Sequence, residues 1–277
     1  MKQILVPTDF SPTSERAFRF AINVALKVKC SITLYHVYIP EEVVLSEAHQ
    51  NRKEYQKKME ENVRKRLQRL KKKVMPSESH VEVSIAIGHT SVISNILRFA
   101  KDNQVDLIVM GTQGATGLEK IVVGSVASQI IEKSKIPVIL IPEKFDLKNP
   151  EEIVFASDYH PKDRQALSFA LEIAEAYNAN VTVVHLDNPT SNAEQKDFYT
   201  YAFGLQRTFA DAKLNFKEIK TGNVKDTLQN LDSEIPFDVL VMVRRKKTFL
   251  EKTLLKTFSK NMACITTKPL LIVPAEE

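Results

Sequence analysis

The sequence predicts an α/β protein built from two homologous domains, each a five-stranded parallel sheet with helices on both faces. Two observations carry this: an internal repeat, and the alternation of short apolar runs with stretches of helical period. Ile4-Leu5-Val6-Pro7-Thr8-Asp9-Phe10-Ser11-Pro12 lies above Ile153-Val154-Phe155-Ala156-Ser157-Asp158-Tyr159-His160-Pro161, an offset of 149 residues. The same offset places Ala17, Ala21 and Ala25 on Ala166, Ala170 and Ala174, and Ile32 to Val37 on Val181 to Leu186. Further along the offset becomes 132, where Asp106 to Met110 matches Asp238 to Met242 and Ile136 to Pro142 matches Lys268 to Pro274. The domains are therefore read as 1–145 and 150–277, meeting between Asp146 and Pro150.

In the first copy, strands are expected at Gln3 to Pro7, Ser31 to Val37, His80 to Ile87, Leu107 to Gly111 and Pro137 to Ile141. Runs such as Leu107-Ile108-Val109-Met110 do not alternate in polarity, which suits strands covered on both faces. Helices are expected at Pro12 to Lys27, Glu42 to Val74, Thr90 to Asn103 and Gly124 to Ser134. The second of these spaces Tyr55, Met59, Val63, Leu67, Leu70 and Val74 by threes and fours, an apolar stripe on a strongly basic helix. Crossovers between parallel strands should be right-handed, and ligands bind beyond the carboxyl ends of such strands where the winding reverses.

Composition narrows the function classes. With 43% hydrophobic and 26% charged residues the chain is globular, and no apolar run approaches the roughly 18 residues that cross a bilayer. No apolar stretch at the amino terminus is long enough for a signal peptide, and Cys30 and Cys264 make neither a disulfide framework nor a metal-ligand spacing. A cytoplasmic protein is expected. The net charge of +5 invites a nucleic-acid reading, but between Arg52 and Lys73 eleven Lys and Arg stand against three acids, so the rest of the chain is net acidic. A core-packed helix with a solvated cationic face accounts for this segment better than a polyanion or membrane patch, and no nucleic-acid or membrane partner is expected.

Four of the seven glycines, Gly111, Gly114, Gly117 and Gly124, fall within fourteen residues, directly after a strand and running into a helix. Glycine lets backbone amides approach a ligand closely, so a strand, a glycine turn and a helix amino terminus form a cradle for an anion, normally a phosphate. Gly124-Ser125 would open the helix, with the Ser125 hydroxyl and the first amides directed at that anion. A loop that merely turns tightly is the competing account. Neither G-x-x-x-x-G-K-[ST] nor G-x-G-x-x-G occurs, which argues against a Walker ATPase.

Gly111-x-x-Gly114, nine residues, then Gly124-Ser125, together with Pro7-Thr8-Asp9 after the first strand, resembles the nucleotide signature of the universal stress protein family. The resemblance runs through nearly the whole chain, twice. It implies an adenine nucleotide alpha hydrolase-like domain with strand order 3-2-1-4-5, and ATP, with or without Mg2+, as the cofactor. Carried over residue by residue, Pro7, Thr8 and Asp9 would lie against adenine and ribose, the backbone of Val37 would meet the adenine edge, and Met110 and Gly111 would flank the ribose. Gly114, Gly124, Ser125 and Val126 would hold the phosphates. Family members pair through the last strand of the sheet, which implies docking of the two domains through Pro137 to Ile141 and Pro269 to Val273; a further homodimer stays open.

The second copy departs from the signature. Gly111, Gly114, Gly117 and Gly124 become Val243, Lys246, Phe249 and Lys256, and Ser125 becomes Thr257, so that half is expected not to hold ATP in the family's manner. Arg244-Arg245-Lys246-Lys247, with Lys252 and Lys256, reads as a solvated cationic loop, with attraction of an anion as the alternative. Asp9 is also a natural turn or cap residue before Pro12. His36 and His185 recur in the two copies but read as satisfied loop or core residues rather than catalysts. The leading functional expectation is a nucleotide-dependent regulatory or interaction role in stress response. A ligand-free scaffold and a weak ATP hydrolase are the alternatives, with slow turnover or none because Asp9 is the only nearby candidate carboxylate that the resemblance provides.

Overall fold

The structure is a computed structural model and describes residues 1–39, 49–76, 79–112, 124–187, 198–221, 227, 230–245 and 267–275. The first half runs β1 (Gln3–Pro7), α1 (Pro12–Val28), β2 (Ser31–Tyr38), α2 (His49–Val74), β3 (Val83–His89), α3 (Val92–Asp102), β4 (Leu107–Gly111), α4 (Ser125–Lys133) and β5 (Val138–Ile141). The second half runs β6 (Glu152–Ser157), α5 (Asp163–Tyr177), β7 (Asn180–Asp187), α6 (Phe198–Thr208), β8 (Leu214–Lys220), α7 (Leu231–Glu234), β9 (Val239–Arg244) and β10 (Leu270–Pro274).

All ten strands join one sheet in the order β3-β2-β1-β4-β5-β10-β9-β6-β7-β8. Each half is parallel, with order 3-2-1-4-5, and the halves meet where β5 and β10 pair antiparallel, Ile139 opposite Leu271. Because the strands are covered on both faces, alternate residues feed two cores. Ile139, Ile141, Leu271 and Val273 enter one, and Val138, Leu140, Leu270 and Ile272 enter the other, so each core runs through both halves.

The duplication is visible in local devices. Lys29 and Asn178 close α1 and α5 in the left-handed conformation, with φ of 58° and 57°. Asp106, at the head of β4, accepts the amides of Lys2 and Gln3 at 2.6 and 2.9 Å, and Asp238 does the same for Glu151 and Glu152 at 2.8 and 3.2 Å. Burial works against the Asp238 carboxylate, but Lys148 and those two amides outweigh it and hold its pKa below the usual value.

The stripe on α2 packs as its spacing requires only from Val63 onward: Val63, Leu67, Leu70 and Val74 are buried, whereas Met59 is half-buried and Tyr55 is exposed; Lys57, Lys58, Lys65, Arg69 and Lys72 face solvent. Its expected start at Glu42 lies outside the described residues. The third strand begins at Val83 rather than His80 and extends to His89. Its span is set by β2, whose Ile32 pairs with Val83 and whose Tyr38 pairs with His89, while Ser79 is drawn into a turn with Pro76.

Candidate functional site

The carboxyl ends of β1 and β4 lie side by side, Leu5 pairing with Ile108, at the point where the winding of the sheet reverses. Pro7 ends β1 and is buried. Thr8 is buried and fully engaged: its amide donates to the Tyr35 carbonyl at 2.8 Å, and its hydroxyl lies 2.9 Å from that of Ser14 and accepts the Phe10 amide at 3.0 Å. The exposed Asp9 carboxylate accepts the Ser11 amide at 3.0 Å, and Ser11 in turn caps α1 by accepting the Ser14 amide at 3.2 Å. Asp9 is thus a turn residue as well as a carboxylate presented at the sheet's end. Val37, half-buried, sits next to the last residue of β2, opposite Gly88.

Phe10 follows with a φ of 66°, a conformation that a side chain of this size resists. Its ring lies 4.6 Å from that of His36, and the Arg66 guanidinium of α2 sits 3.9 Å over it. His36 Nδ1 is 2.6 Å from the Thr8 carbonyl oxygen, which can only accept, so Nδ1 carries the proton. Burial pushes the His36 pKa down, and Arg66 adds to this; the Thr8 carbonyl and Asp9 oppose it without cancelling it.

At the end of β4, Met110 is buried and Gly111 packs against α1 so closely that a Cβ would come within 2.7 Å of Thr13 Cγ2 and 3.1 Å of its carbonyl carbon. Thr112 extends the strand through its amide to the Ile141 carbonyl, and its own carbonyl accepts the Gly124 amide at 2.6 Å, which ties the start of α4 to the end of β4. Gly124 is the N-cap, with no side-chain cap hydrogen bond, so the first amides of α4, from Ser125 and Val126, have no intrahelical acceptor. The Thr112 hydroxyl is buried and has no hydrogen-bond partner among the described residues. Gly114 lies outside the described residues.

Among the described residues, the corresponding strand ends of the second half carry a buried ion-pair cluster. Arg245, which aligns with Gln113 at the 132-residue sequence offset, is 9% exposed and pairs with both Asp158 and Asp163, the sequence counterparts of Asp9 and Ser14. Asp163 is fully buried and also accepts from the hydroxyls of Ser157 at 2.6 Å and Tyr201 at 2.8 Å. Tyr159, with φ of 58°, stacks 3.7 Å from His185, whose Nδ1 lies 2.9 Å from the Ser157 carbonyl. The expected solvated cationic loop is therefore corrected at Arg245: its charge is neutralised in the interior, because two carboxylates converge there where the first half has only Asp9.

Fold and site together define a tandem, doubly wound α/β protein in which the end of β4 and the glycine-capped start of α4 meet at the switch point of the first half. The chain belongs to the Universal stress protein family, whose model matches residues 1–142 and again 150–274. Universal stress protein MJ0531 of Methanocaldococcus jannaschii is 32% identical over 140 residues, covering 50% of this chain and 81% of that protein. Universal stress protein MJ0577 of the same organism is 30% identical over 157 residues, covering 52% of this chain and 96% of that protein. A universal stress protein from Archaeoglobus fulgidus shares the fold across 99% of this chain and 97% of its own, with a TM-score of 0.74 at 16% identity.

The sheet brings Pro7, Thr8, Asp9, Met110, Gly111, Gly124, Ser125 and Val126 to one end of two adjacent strands, with Val37 one strand further out. Thr112, Phe10 with Arg66, and Arg245 also shape the two clefts and were not expected from the sequence. A signal for Arg245 was available: where the first copy has Ser14 and Gln113, the second has Asp163 and Arg245, an acid and a base appearing together.

Proposed function

We propose that the first half binds an adenine nucleotide, ATP, and that occupancy biases the contacts of a cytoplasmic protein acting in stress response. The reading rests above all on the Gly111 to Gly124 region. A helix starts there on an uncapped glycine, beside a buried hydroxyl with no partner among the described residues and a strand end that tolerates no Cβ. A phosphate chain would suit such a place, since it accepts from the amides at the positive end of α4 and would offer an acceptor to the Thr112 hydroxyl, which has none among the described residues. Ser125 and Val126, with Gly114, would hold the phosphates. Pro7, Thr8, Asp9 and the Val37 backbone would line adenine and ribose, and Met110 and Gly111 would flank the ribose. Among the described residues no three His, Cys, Asp or Glu side chains cluster as metal ligands, so a magnesium ion would enter with the phosphates.

Binding is favoured over hydrolysis because Asp9 is the one carboxylate that the family resemblance brings to the site, and it already accepts the Ser11 amide through Oδ1. A switch of this kind requires the nucleotide to bind two conformations with different affinity. The β5 edge is occupied by β10 within the chain, so a homodimer would use another surface.

Calorimetric titration of ATP, ADP and AMP into the full chain should give one site per chain. Gly124 has a φ of −59°, open to any residue, so Gly124→Val keeps the backbone while filling the cradle. It should weaken ATP by roughly ten- to a hundredfold, the loss expected for charge-assisted hydrogen bonds. Two sites per chain, or unchanged affinity in the variant, would refute the assignment.

A further inference from the structure

Two consecutive arginines at the end of β9 reach in opposite directions. Arg245 enters the closed cleft of the second half, where Asp158 and Asp163 hold it. Arg244 crosses the seam between the halves and donates through Nη1 to the Glu132 carbonyl and through Nη2 to the Ser134 carbonyl, at the carboxyl end of α4. The helix it grips is the one whose amino end carries the Gly124 cradle.

The chemistry of this contact is specific. The last four carbonyls of a helix have no intrahelical donors and form its negative pole, and a guanidinium supplies two fixed donors and a positive charge to that pole. Helix α4 has nine residues, too few to be stable by itself in water, so its placement depends on what grips it. Ala127, Ile130 and Ile131 anchor one face in the core, and Arg244 fixes the far end from the other half of the molecule. The base of Arg244 is itself held firmly. Its residue pairs with Pro274 of β10, its carbonyl accepts the Ala275 amide at 2.9 Å, and the next residue is the buried Arg245.

We propose that Arg244 is a positioning residue for the anion-binding end of α4, and that the second half, its own cleft filled by Arg245, serves as the fixed abutment from which Arg244 acts. The proposal rests on the nucleotide reading above for its functional consequence, but not for the contact itself. On this account the degenerate half holds still the helix that receives the phosphates in the other half. Among the described residues Arg245 meets Asp158 and Asp163; Tyr201, which bonds Asp163, lies near Arg164, and Tyr159 stacks on His185 and bonds Glu218 of β8 at 3.1 Å.

The test uses the full chain in three forms besides wild type: Arg244→Met, Arg244→Lys, and the double variant Arg245→Met with Asp163→Asn, which leaves no fully buried carboxylate unpaired. Without nucleotide, hydrogen exchange of the α4 amides should be about two- to fivefold faster in Arg244→Met, the range expected for a cation at a helix terminus, and intermediate in Arg244→Lys. The double variant should loosen α4 as well, since Arg244 loses its anchor. Wild-type exchange in α4 for Arg244→Met would overturn the contact's role, and wild-type exchange in the double variant would overturn the anchoring. The ATP dissociation constant of Arg244→Met should rise by up to two- to fivefold, while its urea midpoint falls only slightly, as loss of one helix-terminal cation requires. ATP affinity unchanged in a variant with a loosened α4 would sink the positioning role. No ATP uptake by wild type would instead sink the nucleotide reading, and the positioning role with it.

Discussion

A methyl group on Gly111 would press into Thr13 Cγ2 at 2.7 Å and against Thr13 backbone at 3.1 Å, so the first turn of α1 can lie against β4 only because this residue has no side chain. Gly111→Ala should cost about 1 to 3 kcal/mol, the usual penalty of overpacking, read as a lower urea midpoint. Gly204 is the control. It lies inside α6, where an added Cβ meets nothing closer than an Arg164 nitrogen at 3.6 Å, and Gly204→Ala should stabilise by about 0.5 to 1 kcal/mol through helix propensity. His36 gives a second expectation at this scale. Its pKa is depressed in the folded state, so the native protein binds fewer protons there than the unfolded chain, and stability rises with pH up to the unfolded value near 6.5. As pH falls below 6.5, wild type should lose that contribution until the folded pKa is passed. His36→Gln should show a shallower decline over the same interval in urea titrations at stepped pH, and an identical decline would contradict the depressed pKa.

Among the elements, α2 shows how charge and packing divide one helix. Leu67 is fully buried between the stripe residues Val63 and Leu70, whereas Lys65 lies on the solvent face. Leu67→Ala should destabilise by about 2 to 5 kcal/mol, while Lys65→Ala should stay within about 0.5 kcal/mol, both by chemical denaturation. This contrast was legible in the sequence because a helical period leaves its mark on every turn. The strand order and the placing of Asp9 and Gly124 at one end of the sheet were likewise readable, through the repeat and the glycine spacing. What was not readable depends on partners distant in sequence. The start of the third strand follows from the length of β2, and the positive φ at Phe10 follows from how the turn after β1 must fold back over His36. The fate of Arg245 required knowing that Asp158 and Asp163, more than eighty residues earlier, converge on it.

For the molecule as a whole, the antiparallel pairing of β5 with β10 makes two repeats into one sheet, and buried apolar side chains of both strands join the cores on its two faces. Tyr177 donates to Asn23 at 3.3 Å across it, joining α5 to α1, and Phe20, Ile139, Ile153 and Leu271 belong to one continuous core. Neither half can separate without exposing the edge strand that its partner covers, an outcome strongly disfavoured for strands buried on both faces. Unfolding should therefore be a single transition of the whole chain. Ile139→Ala, which removes most of a buried side chain from the first half's side of the seam, should lower stability by about 2 to 5 kcal/mol. If the cores are shared, native-state hydrogen exchange in that variant will lose protection equally in β1 and in β6, although β6 lies in the other repeat. Loss confined to β1, or a denaturation curve that splits into two steps, would mean that the halves fold independently and that a mechanical coupling from Arg244 to α4 has no rigid frame to act through.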